Sequence, residues 1–360
     1  MYNNILVTGG CGFIGSNFIR TLFKNKNFKG SIINLDKLTY AANPLNLSDI
    51  EKNYKSRYFF EKSCICNFDN TDRIFKKYNI DCVVHFAAES HVDRSIESPL
   101  EFINTNITGT FSLLETARQN WKEKKEVLFH HISTDEVYGS LGETGFFYES
   151  TCYDPRSPYS ASKASSDHLV RAYFHTYNLP VTITNCSNNY GPYQFPEKLI
   201  PFMILSMIKG KNLPVYGDGK NIRDWIYVDD HNEAVIKVIE KGIKGETYNI
   251  GGETEMSNID IVNLLCESVN DLMPASENKN MEKGKTYKDL IKFVKDRPGH
   301  DRRYAINCDK IKKDLSFNQS TSFEKGIKKT VEWYLNNTDW VDSILTGEYK
   351  NWIKKNYSDR

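Results

Sequence analysis

The chain has 360 residues, which is enough for one large domain or two modest ones. Its 47 Lys and Arg residues almost balance 46 Asp and Glu residues, so charge gives no basis for binding nucleic acid or an anionic membrane. The amino terminus lacks a basic region followed by a long apolar run, and no stretch is apolar enough to span a bilayer. We therefore expect a cytoplasmic protein with no nucleic-acid or membrane partner.

The eight cysteines are scattered along the chain. The closest pair, Cys64 and Cys66, has the spacing C-x-C, and no second pair completes the ligand set of a zinc site. We therefore expect reduced thiols and no bound metal.

The first half of the chain alternates short apolar runs with segments of helical pattern. Near-continuous apolar runs are typical of parallel strands buried on both faces, and the segments between them suit helical crossovers. This alternation predicts an α/β fold with a Rossmann-type doubly wound parallel sheet. The predicted strands are residues 4–9, 31–36, 81–88, 126–133, 179–188 and 246–252.

A glycine-rich turn, TGGCGFIGSNF, follows the first predicted strand and opens a helix. Gly9, Gly12 and Gly15 provide a tight turn, close approach of the backbone to a pyrophosphate, and close packing of helix on strand. Asp36 ends the second strand, at the position where a carboxylate hydrogen-bonds the ribose hydroxyl of adenosine. A carboxylate there favours NAD over NADP, although the neighbouring Lys37 weakens that preference. The alternative is a glycine turn without a ligand.

A Tyr and a Lys are spaced to lie on one face of a predicted helix. Ser157 suits the N-cap and Pro158 the first helical position, so Tyr159 and Lys163 are four residues apart on the same face. An ammonium beside a phenol favours the phenolate, so we expect Lys163 to lower the pKa of Tyr159. Such a Tyr can take a proton from a sugar hydroxyl while NAD accepts the hydride. The alternative is a structural pair, since Y-x-x-x-K often occurs by chance.

Two adjacent acids, Asp135 and Glu136, follow the apolar run at residues 126–133 in the segment STDEVYG. Neighbouring side chains in a strand point to opposite faces, so both can enter one site only where the strand has ended. Neighbouring carboxyls push their pKa values apart, which provides one ionised and one protonated group. The alternative is a polar loop after a strand.

The second half mixes a helix, turns and short strands with two amphipathic helices, at residues 258–273 and 324–336. A Lys-, Glu- and Asn-rich stretch at 275–290 separates them and is predicted to be an exposed helix or loop. This half is expected to form a smaller mixed α/β lobe over the carboxyl edge of the sheet, where such folds bind ligands.

The glycine spacing together with Y-x-x-x-K resembles the extended short-chain dehydrogenase/reductase family, most of whose members act on nucleotide sugars. Further segments narrow the resemblance to the family of dTDP-glucose 4,6-dehydratases and cover essentially the whole chain. They are FAAESHVDRS, STDEVYG, YSASK, NCSNNYGPYQFPEKLIP, IRDWIYVDDH, YNIGG and DRPGHDRRYAI. The resemblance implies NAD as cofactor, dTDP-glucose as substrate, a 4-keto-6-deoxy sugar nucleotide as product, and a place in deoxysugar synthesis such as that of rhamnose.

The resemblance also implies roles for the catalytic residues. Asp135 is the acid that protonates the leaving C6 hydroxyl, and Glu136 is the base that removes the C5 hydrogen. Thr134 hydrogen-bonds the C4 oxygen and assists Tyr159, which pairs with Lys163. The complete T-D-E argues against the 4-epimerases, which have small or uncharged residues at the two acid positions, and against the glucuronate decarboxylases, which resemble T-S-E there.

Four alternative functions remain from the sequence, and one of the more distant is the same reaction on CDP-glucose. The nearest is the same reaction on UDP-glucose, since thymine and uracil differ by one methyl group, worth only ~1 kcal/mol of burial. A nucleotide-sugar 4-epimerase is more distant. A non-catalytic sensor of NAD or a nucleotide sugar has no use for a matched acid and base.

Further ligand contacts are implied by position in the family pattern. For the cofactor they are Gly9, Gly12, Phe13, Ile14, Gly15, Asp36, Lys37, Leu38, Thr39, Cys64, Ile65, Phe86, Ala87, Ala88, Glu89, Ser90, Thr105, Tyr159, Lys163 and Asn189. For the substrate they are Ser90, Thr134, Asn188, Lys198, Leu199, Pro214, Val215, Tyr216, Arg223, Asn258, Asp296, Arg297 and His300. Cys64 departs from the family, which has an Asp that accepts from the adenine amino group, and a thiol accepts poorly.

The resemblance further implies a division of the chain and a homodimer. Helices at about 106–119 and 158–177 pair with their copies in this family and form a four-helix bundle. The NAD-binding Rossmann domain is expected at residues 1–183 and about 224–250. The nucleotide-sugar-binding lobe is expected at about 184–223 and 251–360.

Overall fold

The computed structural model of the protein describes residues 2–296 and 300–345. Its strands are β1 (Asn4–Thr8), β2 (Ser31–Asp36), β3 (Tyr58–Lys62), β4 (Cys82–His85), β5 (Leu128–Thr134), β6 (Val181–Cys186), β7 (Asn188–Tyr190), β8 (Leu213–Tyr216), β9 (Ile222–Tyr227), β10 (Thr247–Ile250), β11 (Glu255–Ser257) and β12 (Ile291–Val294). None of the helices in these described ranges is long and apolar enough to cross a membrane.

The helices follow the strands in the order expected of crossover connections. They are α1 (Phe13–Lys24), α2 (Ser48–Asn53), α3 (Phe68–Tyr78), α4 (Val92–Glu97), α5 (Pro99–Phe102), α6 (Gly109–Asn120), α7 (Pro158–Tyr177), α8 (Leu199–Ile208), α9 (Val228–Lys241), α10 (Asn258–Leu272), α11 (Asp309–Leu315), α12 (Phe323–Asn336) and α13 (Thr338–Ile344). Short 3-10 turns lie at Pro44–Leu47, Asp135–Tyr138 and Tyr287–Leu290, and a π-helical segment, Ile103–Thr108, leads into α6.

A seven-stranded sheet with the order β10-β6-β5-β4-β1-β2-β3 forms the centre of the fold. All of its strand pairs are parallel, which confirms the predicted doubly wound sheet. The six predicted strands are all present, although β4 ends at His85 rather than at residue 88. The edge strand β3 was not predicted. Its exposed and buried residues alternate, so it lacks the continuous apolar run that marks the central strands.

Both faces of this sheet are buried under helices. Along β1, Ile5 and Val7 face one apolar cluster and Leu6 faces another, as the alternation of side chains in a strand requires. The first cluster packs against α1 and α9 and the second against α3, α6 and α7. Each fully buried aliphatic or aromatic side chain stabilises the fold by about 1.5–3 kcal/mol. The sheet is therefore a rigid support for groups at its carboxyl edge.

The second half of the chain contributes a separate apolar cluster built mainly from α8, α10 and α12. Two small sheets, β11-β9-β7 and β12-β8, lie in this region. The predicted amphipathic helices are confirmed as α10 and α12. The stretch at 275–290 is a loop with one 3-10 turn, but it is not fully exposed, because Tyr287 is buried and its hydroxyl donates to Met273 O at 3.0 Å.

Strand β10 extends the large sheet beside β6. Strand β9 spans the boundary predicted near residue 224 between the lobe and the Rossmann domain, and it belongs to a small sheet. The division into domains at the stated boundaries remains a prediction.

Candidate active site

Two neighbouring cavities lie at the carboxyl edge of the large sheet. The first, of about 360 Å³, is bordered by the glycine-rich turn and by the ends of β2, β4, β5 and β6. The second, of about 170 Å³, lies between that edge and the lobe. Residues shared by both linings make them continuous: Glu136, Asn188, Glu197, Lys198, Leu199 and Trp225.

The glycine-rich turn has the geometry that close approach of a ligand requires. Gly9 adopts φ +72°, and a Cβ there would lie 2.7 Å from Ala87 N; a Cβ on Gly15 would lie 2.4 Å from Gly9 O. Helix α1 begins directly after Gly12, and no side chain caps it. Its first backbone N–H groups and its dipole are therefore available to an anion such as a pyrophosphate.

Asp36 ties the end of β2 to this turn. Its carboxylate accepts from Cys11 N at 3.0 Å and from Leu38 N at 2.8 Å. Burial raises its pKa, and these two hydrogen bonds oppose the rise. Lys37 Nζ lies 3.2 Å from Thr105 Oγ1 and 3.7 Å from a carboxylate oxygen of Glu89. The carboxylate of Asp36 therefore lies at the cavity wall, and its hydrogen bonds to Cys11 N and Leu38 N hold it there.

Most residues predicted for the cofactor line the first cavity. They are Gly9, Gly12, Phe13, Ile14, Gly15, Asp36, Lys37, Thr39, Ile65, Phe86, Ala87, Ala88, Glu89, Ser90, Thr105, Tyr159, Lys163 and Asn189. Leu38 and Cys64 do not belong to this lining. Ser63 and Ile65, which flank Cys64, do. The structure thus brings the glycine turn, an acid at the end of β2 and the Tyr–Lys pair into one cavity, which fits a dinucleotide.

The two adjacent acids enter the site because β5 ends directly before them. Thr134 is the last residue of β5 and caps the 3-10 turn Asp135–Tyr138, with its hydroxyl accepting from Glu136 N at 3.3 Å. The turn breaks the alternation of the strand, so Asp135 and Glu136 both line the first cavity.

The surroundings of Asp135 favour the protonated form of its carboxyl group. Burial, the negative charge of Glu136 and that of Asp224 raise its pKa well above the ordinary value, against the opposing charge of Arg223. One oxygen accepts from Thr134 Oγ1 at 3.3 Å. The other oxygen is buried without a hydrogen-bond partner among the described residues, so it is positioned to donate its proton to a ligand.

The expected lowering of the Tyr159 pKa is wrong for this structure. Burial raises the pKa of Tyr159 well above its ordinary value, and the charge of Glu136 adds to this, while a hydrogen bond with Thr134 opposes it. Lys163 Nζ donates to Ile132 O at 2.7 Å. Burial also lowers the pKa of Lys163, and the charge of Asp167 opposes that shift. Tyr159 is therefore a neutral phenol here.

The second cavity contains most of the residues predicted for the substrate. They are Asn188, Lys198, Leu199, Pro214, Val215, Tyr216, Arg223, Asn258 and His300, while Ser90 and Thr134 line the first cavity. Asp296 is outside both linings, but its carboxylate pairs with His300 Nδ1 at 2.6 Å. Arg297 lies outside the described residues.

Among the described residues, Arg223 is the arginine that lines the second cavity. It is buried, its guanidinium lies 4.3 Å from the centre of the Tyr304 ring, and it donates to Ile222 O at 2.7 Å and Asp301 O at 3.0 Å. These contacts fix a positive charge beside the acids, as recognition of a diphosphate requires.

Several lining residues were not selected from the sequence. Glu197 lies between both cavities, is buried, and accepts from Tyr40 Oη at 2.9 Å and from Arg94 Nε at 3.1 Å. Its neighbours Lys198 and Leu199 were selected, so an acid directly beside two selected residues was the signal that went unused. Others are Ser63, Cys186, Ser187, His91, Asp93, Trp225 and Tyr304.

Several known proteins are similar to the chain in sequence and in structure. A family model described as GDP-mannose 4,6 dehydratase matches residues 6–330. A dTDP-glucose 4,6-dehydratase from Shigella flexneri is 52% identical over 370 residues, covering 99% of each chain. One from Neisseria meningitidis is 54% identical over 352 residues, covering 96% of this chain and 97% of the relative.

Among solved structures, the dTDP-glucose 4,6-dehydratase from Streptomyces venezuelae, with NAD and dTDP bound, is similar with a TM-score of 0.86 and 40% identity. It covers 95% of this chain and 99% of its own. The chain belongs to the epimerase/dehydratase family of nucleotide-sugar enzymes.

Proposed function

We propose that the protein is an NAD-dependent dTDP-glucose 4,6-dehydratase, a hydro-lyase that forms dTDP-4-keto-6-deoxyglucose and water. Full-length relatives with this activity support the proposal. The observation that carries it is the buried Asp135, whose pKa is raised by burial and by Glu136, in the cavity that both acids share with Tyr159. An acid and a base at one site are what the elimination of water needs.

The first cavity is where NAD is proposed to bind. The start of α1 would hold the pyrophosphate, Asp36 would accept a hydrogen bond from the ribose, and Phe86, Ala87 and Ala88 would contact the cofactor from the same lining. When bound, NAD accepts a hydride from C4 of the sugar and later returns it to C6. This exchange leaves no net change in oxidation state.

Tyr159 and Thr134 act at the C4 oxygen. Tyr159 takes the proton of the C4 hydroxyl, and Thr134 holds that oxygen in line with it. The pKa of Tyr159 is raised by burial and by Glu136, so it must fall before the phenol can act as a base. A positive charge close to the phenol lowers it, and Lys163 lies in the same cavity lining.

Asp135 and Glu136 carry out the elimination. The C4 ketone acidifies the C5 hydrogen, which Glu136 removes. Asp135 gives its proton to the C6 hydroxyl, and that oxygen leaves as water. The raised pKa of Asp135 favours its protonated form, which is the form that can donate.

The substrate diphosphate is proposed to bind Arg223 and His300 in the second cavity. The nucleobase is proposed to pack against Pro214, Val215 and Tyr216. UDP-glucose is the second candidate substrate, because one methyl group is worth only ~1 kcal/mol of burial. A 4-epimerase is less well supported, since epimerisation uses no acid at the position of Asp135.

We also propose a cytoplasmic homodimer that serves deoxysugar synthesis, such as that of rhamnose. Support for a dimer comes from exposed apolar side chains on the consecutive helical segments before α7. Leu100, Ile103 and Phe111 are 64%, 48% and 47% exposed, respectively. Such a patch is typical of a protein interface.

Incubation with dTDP-glucose and, separately, with UDP-glucose tests the proposal, with mass analysis of each sugar nucleotide. Loss of one water from dTDP-glucose supports it. Loss from UDP-glucose alone retains the mechanism and changes the substrate. No loss from either, even with NAD supplied, contradicts it.

A further inference from the structure

A buried row of polar groups lies behind the catalytic lysine. Lys163 and Asp167 are four residues apart on α7 and face the same side, toward β5. Between them lies His131 of β5, whose Nε2 is 3.4 Å from Lys163 Nζ and 3.2 Å from Asp167 Oδ1. The side chains of His131 and Asp167 are completely buried.

The position of His131 joins the other two groups. A neutral imidazole nitrogen without a hydrogen accepts, so Nε2 can accept from Lys163, while Asp167 Oδ1 contacts the same nitrogen at 3.2 Å without a hydrogen bond among the described residues. Burial, followed by the charge of Lys163, lowers the pKa of His131 to about 4, so the ring is neutral at pH 7. The row therefore contains one cation, one neutral bridge and one anion.

Asp167 is held as an anion by its surroundings. Its Oδ2 accepts hydrogen bonds from Ser133 Oγ at 2.7 Å and from Tyr153 Oη at 2.9 Å. Burial raises the pKa of Asp167, but its contact with His131, the charge of Lys163 and the Ser133 hydrogen bond outweigh burial, so the pKa of Asp167 lies below its ordinary value.

A second layer supports these donors. Tyr153 Oη accepts from Arg171 Nη2 at 3.0 Å and from Asn185 Nδ2 at 3.2 Å, which directs its own hydrogen toward the carboxylate. The network thus extends from α7 to β6.

The charged and titratable groups around Lys163 come from five elements. Tyr159 and Asp167 share its helix, His131 lies on β5, Cys186 on β6 and His85 on β4, with Asp135 and Glu136 across the cavity. A buried ammonium is costly unless it is paired. Asp167 is the main group that offsets that cost.

We propose that Asp167, acting through His131, is a positioning residue that keeps Lys163 charged in the cavity that it shares with Tyr159 during oxidation of the substrate at C4. The inference rests on the proposed function, because the charge on Lys163 matters only if Tyr159 removes a proton. Asp167 touches neither cavity, so its effect passes through Lys163.

The test is rapid mixing of purified NAD-loaded enzyme with dTDP-glucose, with NADH formation followed between roughly pH 6 and pH 10. Asp167→Asn keeps the shape and removes the charge. The pH at which the rate of NADH formation reaches half its maximum is expected to rise by about one unit. NADH then forms about tenfold more slowly at neutral pH, and the rate recovers at high pH. Substrate affinity is expected to stay at the wild-type value.

Tyr153→Phe is the matched control, because it removes a hydrogen bond to the same carboxylate and keeps the charge. Its pH midpoint is expected to match that of the wild type even if its thermal stability falls. A wild-type midpoint in Asp167→Asn, or a loss equal at every pH, overturns the inference.

If Asp167→Asn does not fold, the Asp167→Glu and Asp167→Gln pair replaces it, and only the Gln variant is expected to show the raised midpoint. Equal midpoints in this pair overturn the inference. Failure of the wild-type enzyme to form NADH or product from any nucleotide-glucose contradicts the proposed function instead.

Discussion

Asp135 and Glu136 are consecutive in the chain, yet both line one cavity, because β5 ends at Thr134 and a 3-10 turn follows. Their charges interact, and Glu136 contributes to the raised pKa of Asp135. In the proposed mechanism, one carboxyl group of this pair donates a proton and the other accepts one.

Asp135→Asn removes the proton donor and keeps the shape of the side chain. The variant is expected to form NADH from dTDP-glucose, because oxidation at C4 does not use this proton. Elimination is expected to slow by about a hundredfold or more, the usual contribution of a general acid. Rapid-quench analysis of the product checks this, and product formation at the wild-type rate excludes Asp135 as the acid.

Glu136→Gln removes the proposed base at C5. Exchange of the C5 hydrogen with solvent is expected to slow by about a hundredfold, while NAD content stays unchanged. Mass analysis of sugar nucleotide recovered from deuterated water measures the exchange. Undiminished exchange assigns the base to another residue.

The raised pKa of Asp135 also predicts how the free energy of unfolding depends on pH. Burial, with Glu136 and Asp224, raises its pKa, so the folded protein keeps a proton that the unfolded chain loses near pH ~4. Stability is therefore lost as the pH rises from there to the folded pKa, by about 1.4 kcal/mol per unit of pKa shift.

Asp135→Asn is accordingly expected to match the wild type near pH ~4 and to exceed its stability increasingly at higher pH. Thermal unfolding over that range measures the difference. A stability gain that shrinks with rising pH shows that the carboxyl is ionised in the folded protein.

Gly9→Ala tests the glycine-rich turn. Its Cβ would lie 2.7 Å from Ala87 N at a left-handed φ, so we expect a loss of about 1–3 kcal/mol in stability and loss of bound NAD. Gly142→Ala is the control, because a Cβ there meets no described atom within 4 Å. NAD released from denatured protein is the readout, and wild-type content in Gly9→Ala contradicts the assignment of the turn.

Local pattern predicted most of the central sheet, because strands buried on both faces have continuous apolar runs. It missed β3, where Phe60 and Glu61 are on an edge strand that alternates in exposure. The glycine turn, Asp36 and the Tyr–Lys pair were also found locally, since each is a short motif at the end of a strand or the start of a helix.

Contacts between distant segments could not be predicted in this way. Glu197 meets Tyr40 and Arg94, which are 157 and 103 residues away in the chain. The direction of the Tyr159 pKa was wrong for a related reason, because depth of burial depends on packing of the whole fold. The side chains around Asp167 are likewise collected from α7, β5 and β6.

The most direct test of the dehydratase mechanism uses dTDP-glucose with deuterium at C4. The predicted product has lost one water and carries the deuterium at C6, because the hydrogen removed from C4 is the one returned to C6. Deuterium retained at C4 in a product of unchanged mass would show epimerisation or no reaction, and would contradict the roles assigned to Asp135 and Glu136.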